Sequence, residues 1–209
     1  MKPLLLVTHP RSGSEWFLDC VVDFKYPGWE LFGELNRKIA DRSPIPRLSL
    51  SAKLLMLKSG QAQAHKAHHY VLSRELDDPA KLEGVQLICL RRRNVEAAIF
   101  SALIAVGNNL NFHWKIDHLI KPIKPAREQV EGWFQRVYGT FGVGLKLPYT
   151  ETIWYEDLLS GKLPNTVKLD LSKSSRPIRK SQERFKHLVL NYEEVKSWID
   201  ELRQTCPET

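Results

Sequence analysis

The sequence predicts an α/β fold, a central and mainly parallel β-sheet flanked by helices. Three observations predict it. Short apolar runs at residues 4–8 (LLLVT), 85–90 (VQLICL) and 152–155 (TIWY) have strand length and are too short for buried helices. Segments with helical apolar spacing alternate with them, most densely over residues 95–106. Polar clusters (PRSGSEW, RRRN and YED) stand directly after strands. Open parallel sheets hold their ligands at the carboxyl ends of strands, so the three clusters are expected to converge on one sheet edge.

The elements follow in order. After the first strand, residues 14–24 read as a helix through Trp16, Phe17, Cys20 and Val21. Residues 25–38 mix turn residues with a short helical piece, and residues 43–60 read as a loop entering a short helix, suited to a lid. Residues 64–72 are expected to form a second strand and residues 125–141 an amphipathic helix through Val130, Trp133, Phe134 and Val137. Residues 167–171 are expected to form an edge strand. Residues 192–202 close the chain as a helix with Val195, Trp198, Ile199 and Leu202 on one face.

The chain's 209 residues suit one domain spanning 1–209. Lys and Arg number 31 against 24 Asp and Glu, a formal charge of +7 that favours anionic ligands or simply a soluble basic surface. Cys20, Cys89 and Cys206 are few and far apart, without metal-ligand spacing or a disulfide framework, which points to a reduced, cytoplasmic setting. The opening apolar run is too short for a secretory segment and no stretch reaches the ~20 apolar residues of a membrane span, so a soluble protein is expected.

THPRSGSEW, residues 8–16, carries the sharpest chemistry. A loop between a strand and a helix start exposes backbone N–H groups to an anion. Gly13 allows close approach, Ser12 and Ser14 add hydroxyls, and Arg11 adds a fixed charge. A nucleotide-triphosphate loop would read GxxxxGK[ST]; here Ser14 follows Gly13 and the charge precedes it. An ordinary Ser-capped helix start is the alternative. The stretch resembles the 5′-phosphosulfate loop of sulfotransferases that use 3′-phosphoadenylyl sulfate (PAPS), T-x-P-[KR]-[ST]-G-[ST]-[ST]-W. Thr8, Pro10, Arg11, Ser12, Gly13, Ser14 and Trp16 fit, and Glu15 departs. The resemblance implies a P-loop NTPase-like sulfotransferase fold. It also implies that Arg11 and the amides of Ser12, Gly13, Ser14, Glu15 and Trp16 hold the phosphosulfate, with Trp16 stacking on adenine.

Residues 87–103 read as strand, basic turn and helix, with Arg93 and Ser101 eight positions apart. A guanidinium at the turn and a hydroxyl about two helical turns in suit a second phosphate; three arginines solvating a strand end is the alternative. The same sulfotransferases place an Arg and a Ser at this spacing on the cofactor's 3′-phosphate. Asn94 fits their turn and Val95 replaces its usual proline. YEDL at 155–158 resembles a recurrent segment of the family. Arg179 and Lys180 resemble its late Arg-Lys-Gly loop over the 3′-phosphate, with Ser181 in place of Gly.

Sulfuryl transfer needs positioning, charge stabilisation on the bridging oxygen and a base for the acceptor's proton, with no metal required. HKAHHYVL supplies candidates. On a strand, Lys66 and His68 share one face and His65 and His69 the other. The Lys66-x-His68 pair resembles the Lys-x-His of many sulfotransferases, where the His is general base and the Lys assists transfer. A His-rich surface strand or adventitious metal binding is the alternative. Glu34 is a rival base, since some branches use a glutamate between the opening loop and the next strand. Asn108, Asn109 and His113 are candidates to face the acceptor, while Trp114 and Trp133 are sugar platforms or core. The function implied is transfer from PAPS to the hydroxyl of a sugar or small metabolite, releasing adenosine 3′,5′-bisphosphate (PAP). The competing classes are a P-loop nucleotide kinase and a non-catalytic polyanion binder. No nucleic-acid module is present in the sequence.

Overall fold

The computed structural model describes residues 2–24, 48–108, 120–139, 147–173 and 182–206. Leu4–Thr8, five residues without a charge, form strand β1, and all five are buried. A strand apolar on both faces belongs inside a covered sheet. Its neighbours are β2 (Ala64–His68) on one side and β3 (Gln86–Arg91) on the other, with β4 (Glu151–Trp154) beyond β3. The order is β2-β1-β3-β4 and every pairing is parallel. Thr8 stands opposite His68 and Leu90, and Arg91 opposite Trp154, so the four carboxyl ends lie along one edge. The chain leaves β1 for one side and returns to the other, which puts the topological switch point at the carboxyl ends of β1 and β3.

The helices are α1 (Ser14–Cys20), α2 (Leu50–Lys58), α3 (His69–Glu75), α4 (Val95–Gly107), α5 (Arg127–Phe134), α6 (Tyr155–Leu159), α7 (Gln182–Leu188) and α8 (Tyr192–Thr205). The chain divides into two compact units. One comprises Met1–Thr8, Gly13–Arg91 and Lys146–Arg176, and holds the whole sheet with α1, α2, α3 and α6. On one face of that sheet Leu4, Leu6, Ala64, Ile88, Leu90 and Ile153 pack against Trp16, Phe17 and Cys20 of α1 and Leu158 of α6. The other comprises His9–Ser12, Arg92–Leu145 and Pro177–Thr209. Its core joins Ile99, Phe100 and Leu103 of α4, Val130 and Phe134 of α5, and Val195 and Ile199 of α8. Phe100 stacks on Tyr192 at 4.7 Å between ring centroids. Among the described residues no helix is long and apolar enough to cross a membrane.

Four expected elements differ. The strand expected over residues 64–72 ends at His68, and α3 begins at once. Past His68 the buried residues are His69, Leu72 and Leu76, a spacing of one helical face. The edge strand expected at 167–171 is a single antiparallel bridge, Val21 to Leu169. The Asp170 carboxylate accepts from both the amide and the hydroxyl of Ser172, turning the chain into the 3₁₀ helix Leu171–Lys173. The same bridge cuts α1 short, because Val21 is extended at the helix C-cap. The helix expected to reach residue 141 is α-helical only to Phe134 and continues as a π-helix over Gln135–Gly139.

Candidate functional site

In the unit that holds His9–Ser12, the two basic motifs meet. Asn94 caps α4, its Oδ1 accepting from the Ala97 amide at 2.8 Å. The Val95 amide donates to the Arg93 carbonyl at 2.9 Å, a bond a proline at this position could not make. Ser101 thereby falls in the second turn of α4. Arg11 reaches it: its Nε donates to Ser101 Oγ at 2.9 Å across ninety residues of sequence. Arg93, on the turn before α4, is exposed.

Arg11 is the one non-glycine residue with a positive φ, 64°, among the described residues. That conformation costs ~1–2 kcal/mol and is kept only where the surroundings impose it. Burial first, and the nearby Arg92 guanidinium second, pull the Arg11 pKa down to about 10. The group stays charged at neutral pH. Its lowered pKa marks a place where positive charge is poorly supported and an anion would be favoured. Ser12 beside it is fully buried.

His9 carried no signal in the sequence, yet it is 2% exposed and uses both ring nitrogens. Nδ1 lies 2.8 Å from the Pro10 carbonyl oxygen, and Nε2 accepts from the Arg92 amide at 3.2 Å. A histidine between the end of a strand and a turn has no periodicity to betray it.

In the sheet-bearing unit, Gly13 has φ 85° and caps α1. A Cβ there would lie 2.5 Å from Tyr155 Cε2 and 2.6 Å from Cδ2. The YED segment thus sets the shape of the opening loop, since Tyr155 occupies the space a side chain at 13 would need. Trp16 and Tyr155 pack in a T-shape, with centroids 5.8 Å apart and planes at 81°. Trp16 is 6% exposed, and its indole Nε1 is buried without a hydrogen-bond partner among the described residues. Ser14 is buried and opens α1, and Glu15 follows in its first turn.

Lys66 and His68 lie in register with Leu6 and Thr8, on the sheet face that α1 covers, and both are half-buried. The shared face expected of the Lys-x-His pair is therefore present. His68 stacks on Tyr70 at 5.5 Å. His65 points to the opposite face, while His69 has left the strand for α3. Burial, with Lys53 as the lesser cause, lowers the His65 pKa to about 4. Burial, with Arg91 as the lesser cause, does the same to His69. Both rings are thus neutral in the folded protein, unlike an unfolded His with its pKa near 6.5. Between pH 6.5 and 4 the unfolded chain takes up protons that the folded chain does not. The stability these rings confer is complete above pH 6.5 and is lost as pH falls towards 4. We expect a loss of ~2 kcal/mol per ring in urea unfolding between those limits, flattened in His65→Gln and His69→Gln.

Glu34, Arg179 and Lys180 lie outside the described residues, as do Asn109, His113 and Trp114. Asn108 bonds within the fold. Its side chain donates to the Ile104 and Lys121 carbonyls and accepts from the Lys121 amide, fixing the end of α4. Trp133 packs half-buried against the second core with the Arg136 guanidinium over its ring at 5.0 Å. No cluster of three metal-ligating side chains occurs among the described residues. Comparison with protein-family models, curated proteins and solved structures finds no match.

Proposed function

We propose that the chain is a sulfotransferase that moves the sulfuryl group of PAPS to a hydroxyl acceptor, a sugar or small metabolite, and releases PAP. The observation that carries this reading is the Arg11–Ser101 hydrogen bond at 2.9 Å. Two motifs that resemble the family's two phosphate sites supply these side chains. The low pKa of Arg11 beside Arg92 supports an anionic ligand at that place.

In this reading Arg11 and the amides of Ser12 through Trp16 hold the 5′-phosphosulfate, with Gly13 letting the backbone close in. Arg93 and Ser101 take the 3′-phosphate, and Arg179 and Lys180 close over it. His68 accepts the acceptor's proton, with Glu34 as the rival base. Lys66 stabilises charge on the bridging oxygen. The acceptor oxygen bonds to sulfur as the sulfur–oxygen bond to the 5′-phosphate breaks, and the bridging electrons leave with PAP.

The test compares PAP with AMP, which lacks the 3′-phosphate, on wild type and Arg93→Ala by calorimetry. Wild type is expected to prefer PAP by roughly 10- to 100-fold, the worth of a charge-assisted contact. Arg93→Ala is expected to bind the two nearly equally. Equal binding of PAP and AMP by wild type contradicts the reading.

A further inference from the structure

We propose that His9 is a positioning residue, a neutral latch that ties the segment after β1 to the turn after β3 and so sets the reach of Arg11. The functional consequence rests on the sulfotransferase reading; the latch itself rests on two hydrogen bonds. The Arg92 amide can only donate, so Nε2, 3.2 Å away, must carry no proton. The Pro10 carbonyl can only accept, so Nδ1, 2.8 Å away, must carry one. The two contacts together require a single state of the ring: neutral, with its proton on Nδ1.

Each bond acts on a residue next to one that matters. Pro10 precedes Arg11, whose left-handed backbone needs support from its surroundings. Arg92 precedes Arg93, and its Nη1 also approaches the Arg11 carbonyl at 3.4 Å. His9 is 2% exposed, so neither bond can be exchanged for bulk water when it is lost. A ring with its proton on Nε2 would turn a donor toward the Arg92 amide, and a doubly protonated ring would also add charge beside Arg92 and Arg11. The latch therefore holds in one protonation state only, and it aligns the two basic turns that the proposed cofactor site draws on.

Three variants and three readouts test it. Nitrogen-15 NMR of wild type at pH 7.5 reads the tautomer, and amide exchange reads the protection of the Arg92 N–H. PAP titration reads the cofactor site. His9→Gln keeps an acceptor near the Nε2 position, His9→Asn keeps a donor near Nδ1, and His9→Phe keeps only the shape. The expected result is an Nδ1–H tautomer with a protected Arg92 amide. PAP affinity should fall about tenfold in His9→Phe and return most of the way in His9→Gln, because small displacements of positioning groups are costly. An Nε2–H or doubly protonated ring, or an Arg92 amide as protected in His9→Phe as in wild type, overturns the latch. So does unchanged PAP affinity in a folded His9→Phe. If wild type shows the Nδ1–H ring and protected amide but no PAP binding, the latch stands and the sulfotransferase reading falls.

Discussion

Gly13→Ala is expected to destabilise the protein by ~2–5 kcal/mol. Two independent costs add. The φ of 85° at this position is a left-handed conformation that an L side chain holds at ~1–2 kcal/mol. The new methyl would also sit 2.5 Å from the ring of Tyr155, and forcing a group into a packed site costs ~1–3 kcal/mol. The ring cannot swing clear cheaply, because it also packs against Trp16. Urea unfolding measures the loss. A double variant with Tyr155→Leu separates the two costs: the smaller side chain should return the overlap part and leave the backbone part, seen as coupling in a double-mutant cycle. A Gly13→Ala protein within 0.5 kcal/mol of wild type, on the order of an ordinary surface change, would contradict this account of the loop.

Arg11→Gly is expected to leave stability within ~1 kcal/mol of wild type while weakening PAP binding by roughly 10- to 100-fold. Glycine accepts the φ of 64° without the penalty that arginine bears, a gain of ~1 kcal/mol. The lost hydrogen bond to Ser101 offsets it by a similar amount. The two folding terms nearly cancel, but binding has no such compensation, because the guanidinium is the charged donor the phosphosulfate would meet. Arg11→Lys keeps the charge without the forked geometry and is expected to fall between the two. Calorimetry beside thermal unfolding reads both quantities in one set of samples. Wild-type affinity in a folded Arg11→Gly would remove Arg11 from the site.

The elements that could be read from the sequence were those with one dominant signal. Leu4 to Val7 are an unbroken apolar run of strand length, and residues 4–8 form β1 with every residue buried. Residues 95–106 have dense helical spacing, and α4 begins at Val95. The placement of Lys66 and His68 on one face followed from strand alternation alone, and the register bears it out. The errors came where two signals met. The strand reading over residues 64–72 passed over the helical face of His69, Leu72 and Leu76. The alternating Val167, Leu169 and Leu171 lean on the first core as a strand would, yet the Asp170–Ser172 turn ends the pairing after one bridge. Long-range partners were the least legible. No local pattern joins Arg11 to Ser101, Gly13 to Tyr155, or His9 to Arg92, because each contact is made by the fold and not by neighbours in sequence.

The central claim is that the two basic motifs serve a cofactor with a 5′- and a 3′-phosphate and need no metal. Calorimetric titration of the folded wild-type chain with PAP in EDTA, beside ATP with Mg²⁺, tests it most directly. The account predicts PAP binding on the order of micromolar, undiminished by EDTA, and weaker binding of ATP. No PAP binding by a protein shown to be folded, or ATP binding that appears only with Mg²⁺, would contradict it and favour a nucleotide kinase instead.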